Sequence, residues 1–228
     1  MVAKVVTVFG GSGFVGRQVV RELARIGCRV RVAVRFPDTA SDLKPMGDVG
    51  QIVPIACNIR QDSSVARALD GADAVINLVG ILYESGTQTF DAVHHQGSAR
   101  IAKAAKAAGI TSFIQMSALG AAPDSPALYA RSKAAGEAAV RAEVPEAIVV
   151  RPSVIFGPED SFFNRFASIM RITPLLPLIG GGEQKFQPVY VGDVADAIVK
   201  ALTDSSAAGR TYELCGPTVY SFKELMEL

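Results

Sequence analysis

Val5-Val6-Thr7-Val8-Phe9, Gly10-Gly11-Ser12-Gly13 and Phe14-Val15-Gly16-Arg17 follow one another without a break near the start of the chain. The first five residues are β-branched or aromatic and read as a strand buried on both faces. The glycines permit a tight turn, and helical periodicity then runs from Phe14 to Ile26. The turn satisfies G-x-G-x-x-G from Gly11 and G-x-x-G-x-x-G from Gly10. A pyrophosphate needs glycine here, because it must approach the backbone with no Cβ in the way. The helix that follows offers unpaired N–H groups and a partial positive charge. A bare glycine triplet is explained equally by a tight turn. The buried strand before this one and the amphipathic helix after it supply the context that dinucleotide binding requires.

Outward from that turn, short apolar runs alternate with helical stretches. Val30–Val34, Ile52–Ala56, Ala74–Val79, Phe113–Met116 and Ile148–Val150 read as further strands. Between them Ser63–Leu69, Phe90–Ala108 and Ala127–Glu143 read as helices. Strict alternation with short connections implies right-handed crossovers and an α/β, doubly wound parallel sheet, the Rossmann-type NAD(P)-binding arrangement. After Pro152 the pattern loosens: Phe162–Ile172 reads as a helix, Pro174–Gly182 as a loop and Gln187–Val191 as a strand. Asp193 is placed to cap a helix to about Leu202, Tyr212–Leu214 is a last strand, and Ser221-Phe222-Lys223-Glu224 is a capping box. That final helix has room for barely two turns before Leu228, which reads as a chain cut short or an unusually short family member. The expectation is one domain over 1–228, in which the segments around 157–188 and 205–228 form a small, truncated C-terminal lobe on the substrate side.

Composition narrows the function classes. With 49% apolar and 20% charged residues among 228, the chain has material for a substantial core. Lys plus Arg total 23 against 22 for Asp plus Glu, so no broad positive field invites nucleic acid. Cys28, Cys57 and Cys215 are odd in number and lack metal-ligand spacing, as in reduced thiols of a cytosolic protein. No apolar run approaches the ~20 residues of a spanning helix, which argues against direct membrane insertion. Met1-Val2-Ala3-Lys4 leads straight into the first strand with no leader pattern, so a cytoplasmic location is expected.

The end of the second strand bears on which dinucleotide is held. An NAD site usually places a carboxylate there to accept from the ribose 2′-OH. Here the residue is Arg35, whose guanidinium can pair with a 2′-phosphate that a carboxylate would repel, and Arg17 follows the last glycine. The bland alternative is a solvated arginine face, which suits Arg21 and Arg25, four apart on one helix. For Arg35 the position favours NADPH.

Tyr129-Ala130-Arg131-Ser132-Lys133 puts a phenol and an ammonium one helical turn apart. A nearby cation favours the phenolate of a group whose free pKa is about 10. Ser117, at the end of the fifth strand, could hold a carbonyl beside the tyrosine, completing an acid/base relay for hydride transfer. Alone, the pair is as well explained by an aromatic packing residue and a solvated lysine. A dinucleotide loop upstream shifts the balance towards site membership.

With those residues in view, the chain resembles the extended or atypical short-chain dehydrogenase/reductase superfamily. The resemblance rests on the glycine loop, Asn77-Leu78-Val79-Gly80, Ser117, the Tyr-x-x-x-Lys, Arg151-Pro152-Ser153 and Phe156-Gly157-Pro158. Within it, Leu43–Gln51, Val144–Ser153 and Phe163–Ser168 are similar to the bacterial form of the nucleotide-binding accessory subunit of respiratory complex I. That resemblance implies tightly held NADPH, partner subunits on the peripheral arm at the cytoplasmic face of the membrane, and no established turnover. It also implies that Gly10, Ser12, Gly13, Phe14, Val15 and Gly16 surround the pyrophosphate, Arg35 takes the 2′-phosphate, and Asn58 lies near the adenine. Val79 and Gly80 would border the adenosine ribose. Ser117, Tyr129 and Lys133 would meet the nicotinamide ribose and ring, and Pro152, Ser153 and Val154 would cover the carboxamide side. His94 departs from the pattern by standing where many extended enzymes have a helix asparagine. With no carboxylate or cysteine cluster beside them, His94 and His95 read as packing or surface residues, not metal ligands.

Two function classes therefore stand open. One is a binding subunit that holds NADPH architecturally. The other is an NAD(P)-dependent reductase or epimerase/dehydratase using Ser117, Tyr129 and Lys133. A dinucleotide-sensing regulator, the third class, would need a partner surface that the sequence does not display.

Overall fold

A computed structural model describes residues 5–160, 162–164 and 179–227. The strands are β1 (Val5–Phe9), β2 (Arg29–Val34), β3 (Ile52–Ala56), β4 (Ala74–Asn77), β5 (Ser112–Met116), β6 (Ile148–Pro152), β7 (Ile155–Phe156), β8 (Lys185–Phe186), β9 (Val189–Tyr190), β10 (Thr211–Leu214) and β11 (Tyr220–Ser221). The α-helices are α1 (Phe14–Arg25), α2 (Asp62–Leu69), α3 (Gln96–Ala107), α4 (Leu128–Glu143), α5 (Val191–Thr203) and α6 (Phe222–Glu227). Seven strands form one sheet in the order β10-β6-β5-β4-β1-β2-β3, and every pair in it is parallel. This is the doubly wound Rossmann-type α/β fold expected from the alternation.

Period-2 alternation decides which residue faces which layer. Val6 and Val8 bury against Val19 and Leu23 of α1 and Ile198 of α5. Phe9 turns the other way, into a cluster with Val65 of α2, Ile101 of α3, Phe113 of β5 and Val140 of α4. Full burial of a Val or Phe side chain contributes about 1.5–3 kcal/mol, so the two layers hold the sheet from both faces. Strand order reverses between β1 and β4, and in such sheets the crevice beyond the strand ends at that point is where ligands bind.

Four departures from the sequence reading have physical causes. β4 stops at Asn77 instead of Val79, because the buried Asn77 side chain takes over the backbone's role. Its Nδ2 donates to Ser98 Oγ (3.1 Å) and Gln115 Oε1 (2.9 Å), and its Oδ1 accepts from the Val79 amide (3.2 Å). The helix expected from Phe90 opens with a π-helical turn, Asp91–His95, before α3 begins. The strand expected over Gln187–Val191 shortens to β9, which follows Pro188 and pairs parallel with β7, while a separate strand just before it, β8, pairs antiparallel with β11. Asp193 does not cap α5, which starts two residues earlier with Tyr190 at the cap position.

The capping box is present as read: the Ser221 amide donates to Glu224 Oε2 (2.6 Å) and the Glu224 amide to Ser221 Oγ (3.1 Å). The helix expected over Phe162–Ile172 and the loop over Pro174–Gly182 lie largely outside the described residues. Among the described residues, no helix is long and apolar enough to cross a membrane.

Candidate functional site

The glycine turn sits at the sheet's reversal point, between the ends of β1 and β4. Gly10 has φ +79°, and a Cβ there would lie 3.1 Å from Leu78 C and Val79 N, so both its conformation and its closeness to the β4 loop demand glycine. A Cβ on Gly16 would fall 2.3 Å from Gly10 O, which is what lets the first turn of α1 seat against the loop. Gly13 differs: a Cβ there would meet only Gly10 O, at 3.3 Å, so its outer side is open to a ligand. The cap position of α1 is Gly13, which has no side chain to cap it, and the first turn carries no acidic residue. Its end N–H groups and partial positive charge are therefore left for an anion.

Two adjoining cavities meet at this turn and share Gly10, Gly13, Leu78, Gly80 and Ile81. The larger, of about 860 Å³, is lined by Phe14, Val15, Gly16, Ser117, Tyr129, Lys133, Pro152, Ser153 and Val154. The smaller, of about 360 Å³, is lined by Ser12, Arg35, Asn58 and Val79. The fold thus brings every candidate site residue to the wall of one or the other. The pair forms a two-ended cleft on either side of the glycine turn, a shape that suits a dinucleotide.

At the smaller end the arginines sort themselves. Arg17 is held by Asp42 (2.5 Å) and Glu159 (3.7 Å), while Arg21 and Arg25 meet Glu22 on the helix surface. Arg35 is exposed at the cavity wall and has no hydrogen bond or ion pair among the described residues. Arg60, which the sequence reading passed over, lines the same cavity from the loop after β3 and donates to Thr87. Its only sequence signal is its place two residues after Asn58, whose side chain accepts from the Arg60 amide (3.1 Å).

At the larger end, Ser117 is 3% exposed and its Oγ has no hydrogen-bond partner among the described residues. A buried hydroxyl on a cavity wall with no protein partner can bond a water or a ligand atom there. The Lys133 ammonium lies 5.8 Å from the centre of the Tyr129 ring. Burial lowers the Lys133 pKa to about 8, against an opposing pull from the Glu137 carboxylate. The expected activation of Tyr129 is not present: burial pushes its phenol up instead of down. Desolvation of the buried phenol outweighs any help towards the phenolate from Lys133, which stays mostly charged at neutral pH.

His94, at 2% exposed, is a packing residue and more. Its ring stacks on Phe90 (centroids 5.4 Å apart) and meets Tyr129 edge-on (5.4 Å). His95 instead pairs with Asp91 at the surface (2.9 Å). Among the described residues no group of His, Cys, Asp or Glu could hold a metal. One turn beyond Lys133, Glu137 accepts from Arg151 of β6 through both oxygens (2.9 and 2.7 Å), which fixes α4 against the sheet.

The residues present fit a nicotinamide dinucleotide on three counts: the open Gly13 cradle, the uncapped α1 terminus and the unpartnered Ser117 hydroxyl. Comparison with known proteins agrees. The chain is 45% identical over 227 residues to "NADH dehydrogenase [ubiquinone] 1 alpha subcomplex subunit 9, mitochondrial" of Arabidopsis thaliana, covering 98% of this chain and 56% of that one. It is 33% identical over 195 residues to the "Ceramide reductase" of Caulobacter vibrioides, covering 86% of this chain and 60% of that one. It therefore spans less than two thirds of either relative. A crystal structure of DesIV, a dTDP-glucose 4,6-dehydratase from Streptomyces venezuelae with NAD and TYD bound, superposes with a TM-score of 0.82 at 22% identity. The match covers 98% of this chain and 79% of DesIV, and at that identity it speaks for the fold alone. Residues 6–215, from β1 to just past β10, match the NAD dependent epimerase/dehydratase family, and the chain belongs to it.

Proposed function

We propose that this protein is an accessory subunit of respiratory complex I that holds NADPH as a structural cofactor. The observation that carries this reading is the 45% identity, over 98% of the chain, to the Arabidopsis subunit of NADH dehydrogenase [ubiquinone]. The family supplies NAD(P) binding, and the choice of NADPH rests on Arg35, a free cation where an NAD site would carry a carboxylate. Gly10, Ser12, Gly13, Phe14, Val15 and Gly16 would surround the pyrophosphate and Arg35 would pair with the 2′-phosphate. Asn58 would face the adenine, with Val79 and Gly80 along its ribose. Ser117, Tyr129 and Lys133 would hold the nicotinamide ribose and ring, and Pro152 to Val154 would close the carboxamide side. The protein would sit at the cytoplasmic face of the membrane through neighbouring subunits, without inserting.

The convergence of Ser117, Tyr129 and Lys133 on one cavity favours a second reading, an NAD(P)-dependent reductase or epimerase/dehydratase. When bound, NADPH would supply a hydride. Ser117 would orient a substrate oxygen, Tyr129 would give it a proton, and Lys133 would steady the phenolate left behind. The protonated phenol described above suits an acid waiting to donate. Purification of the tagged protein from native membranes in mild detergent separates the readings. Elution within a large assembly with NADH:ubiquinone oxidoreductase activity supports the subunit, whereas a free monomer or dimer that reduces a carbonyl supports the enzyme.

A further inference from the structure

The larger cavity extends past the residues assigned to the nicotinamide, and its far wall has a distinct character. Leu82, Leu119, Ile155, Phe162, Phe186 and Val219 line it. The Phe162 and Phe186 rings lie 5.8 Å apart. Leu82, Leu119 and Val219 are 72%, 42% and 53% exposed, so three aliphatic side chains at the wall remain in contact with water. Leaving them wet forgoes the gain an apolar occupant would bring.

Charge points the same way. Among the described residues the lining contains two cations, Lys133 and Lys185. Lys133 is buried beside Tyr129, and Lys185 is exposed within electrostatic range of Glu224. Among the described residues no arginine lines this end, and the N-terminus of α1 belongs to the cofactor. A nucleoside diphosphate sugar carries two charges on its diphosphate and wants a guanidinium fork or a helix terminus to receive them. This wall offers neither among its described residues. Of the other polar side chains on this wall, Gln187 donates to the Gly216 carbonyl oxygen and Ser153 is given to the carboxamide side, which leaves Ser117 Oγ and the Tyr129 hydroxyl to meet an occupant's oxygen.

We infer that the chamber beyond the nicotinamide binds a neutral molecule with one carbonyl oxygen at its inner end and an apolar chain along the outer wall. The inference rests on the reading that the glycine-turn half of the cleft holds NADP(H), and it holds whether the occupant is reduced or only bound.

The test is calorimetry on protein saturated with NADP⁺, which has no hydride to give, so heat reports binding alone. The probes are 2-decanone, 2-hexanone and UDP-glucose. Because each buried methylene is worth about fourfold in affinity, 2-hexanone, four methylenes shorter, should bind about 250-fold more weakly than 2-decanone. Val219→Asp and Leu82→Asp change exposed positions and should each weaken 2-decanone tenfold or more, while circular dichroism and NADP⁺ affinity stay as in the parent. UDP-glucose binding more tightly than 2-decanone overturns the inference, as does ketone affinity indifferent to chain length and to both substitutions. No ketone binding to protein that holds NADP⁺ overturns the inference and spares the cofactor reading. Ketone binding with the expected length and variant dependence in protein that fails to hold NADP⁺ supports the apolar chamber and overturns the cofactor reading.

Discussion

The Ile81 amide donates to His94 Nε2 at 3.0 Å, tying the loop after β4 to the π-helical turn before α3. A backbone amide can only donate, so Nε2 is unprotonated and the proton sits on Nδ1, which donates to Ser132 Oγ at 2.9 Å. Ser132 in turn donates to the Tyr129 carbonyl oxygen at 2.7 Å. A neutral imidazole thus links the cavity-wall residues Gly80 and Ile81 to the helix that carries Tyr129 and Lys133. Burial, and then the Lys133 charge, hold its pKa down to about 3.

Acid should therefore act on this clamp. The unfolded chain takes up a proton at His94 near pH 6.5, whereas the folded protein does so only near 3. Because the unfolded state binds more protons across that window, stability from this residue is present above pH 6.5 and is lost as pH falls towards 3. His94→Phe keeps an aromatic ring but orphans the Ile81 amide, at a cost of about 1–3 kcal/mol at pH 7. Urea unfolding at pH 7 and pH 5 should show that cost, and a smaller loss between the two pH values in the variant than in the parent.

Glu137 supports the same helix from the other side. Glu137→Gln removes the charge that opposes burial at Lys133 and breaks the two-oxygen pair with Arg151. The Lys133 pKa should fall below about 8, read by NMR titration of labelled lysine. Stability should drop by about 1.5–3 kcal/mol, the worth of hydrogen bonds to a charged group.

Arg35→Asp should weaken NADPH by about ten- to a hundredfold, the loss of one charge-assisted pair. NADH should be almost unaffected, since a carboxylate can accept from a 2′-hydroxyl. Calorimetry with both cofactors makes the comparison, and equal losses would show that Arg35 does not read the 2′ position.

Tyr129→Phe separates holding from catalysis. The ring and its contact with His94 remain and only the hydroxyl goes. For a structural holder the loss is at most one hydrogen bond to the ribose, about 0.5–1.5 kcal/mol of cofactor affinity, with assembly intact. For an enzyme the hydroxyl is the acid, and turnover should fall by about 10²–10⁴. The subunit reading expects the first pattern.

Much of this was legible in the sequence because it is encoded locally. The β1–turn–α1 unit needs only neighbouring residues, and Ser221 and Glu224 satisfy each other's amides within one turn. What escaped depends on distant partners. The π-helical turn that aims His94 arises where α4 presses close, with the His94 carbonyl oxygen 2.2 Å from where a Cβ on Gly136 would stand. β8 and β9 part company because their partners come from Tyr220–Ser221 and Ile155–Phe156. Tyr129 was expected to be activated from spacing alone, but spacing cannot weigh burial against charge, and burial won. Arg60 joins the site only through the way the β3 loop folds over the smaller cavity.

The most direct measurement of the central claim is the nucleotide content of the assembly in which this protein is proposed to reside. The account predicts that NADH:ubiquinone oxidoreductase purified from native membranes contains this chain and releases about one NADPH per copy on denaturation, read by chromatography. It also predicts that an assembly carrying Arg35→Asp releases clearly less NADPH per copy than the parent. An active assembly that contains the chain but no NADPH, or one that lacks the chain altogether, would contradict it.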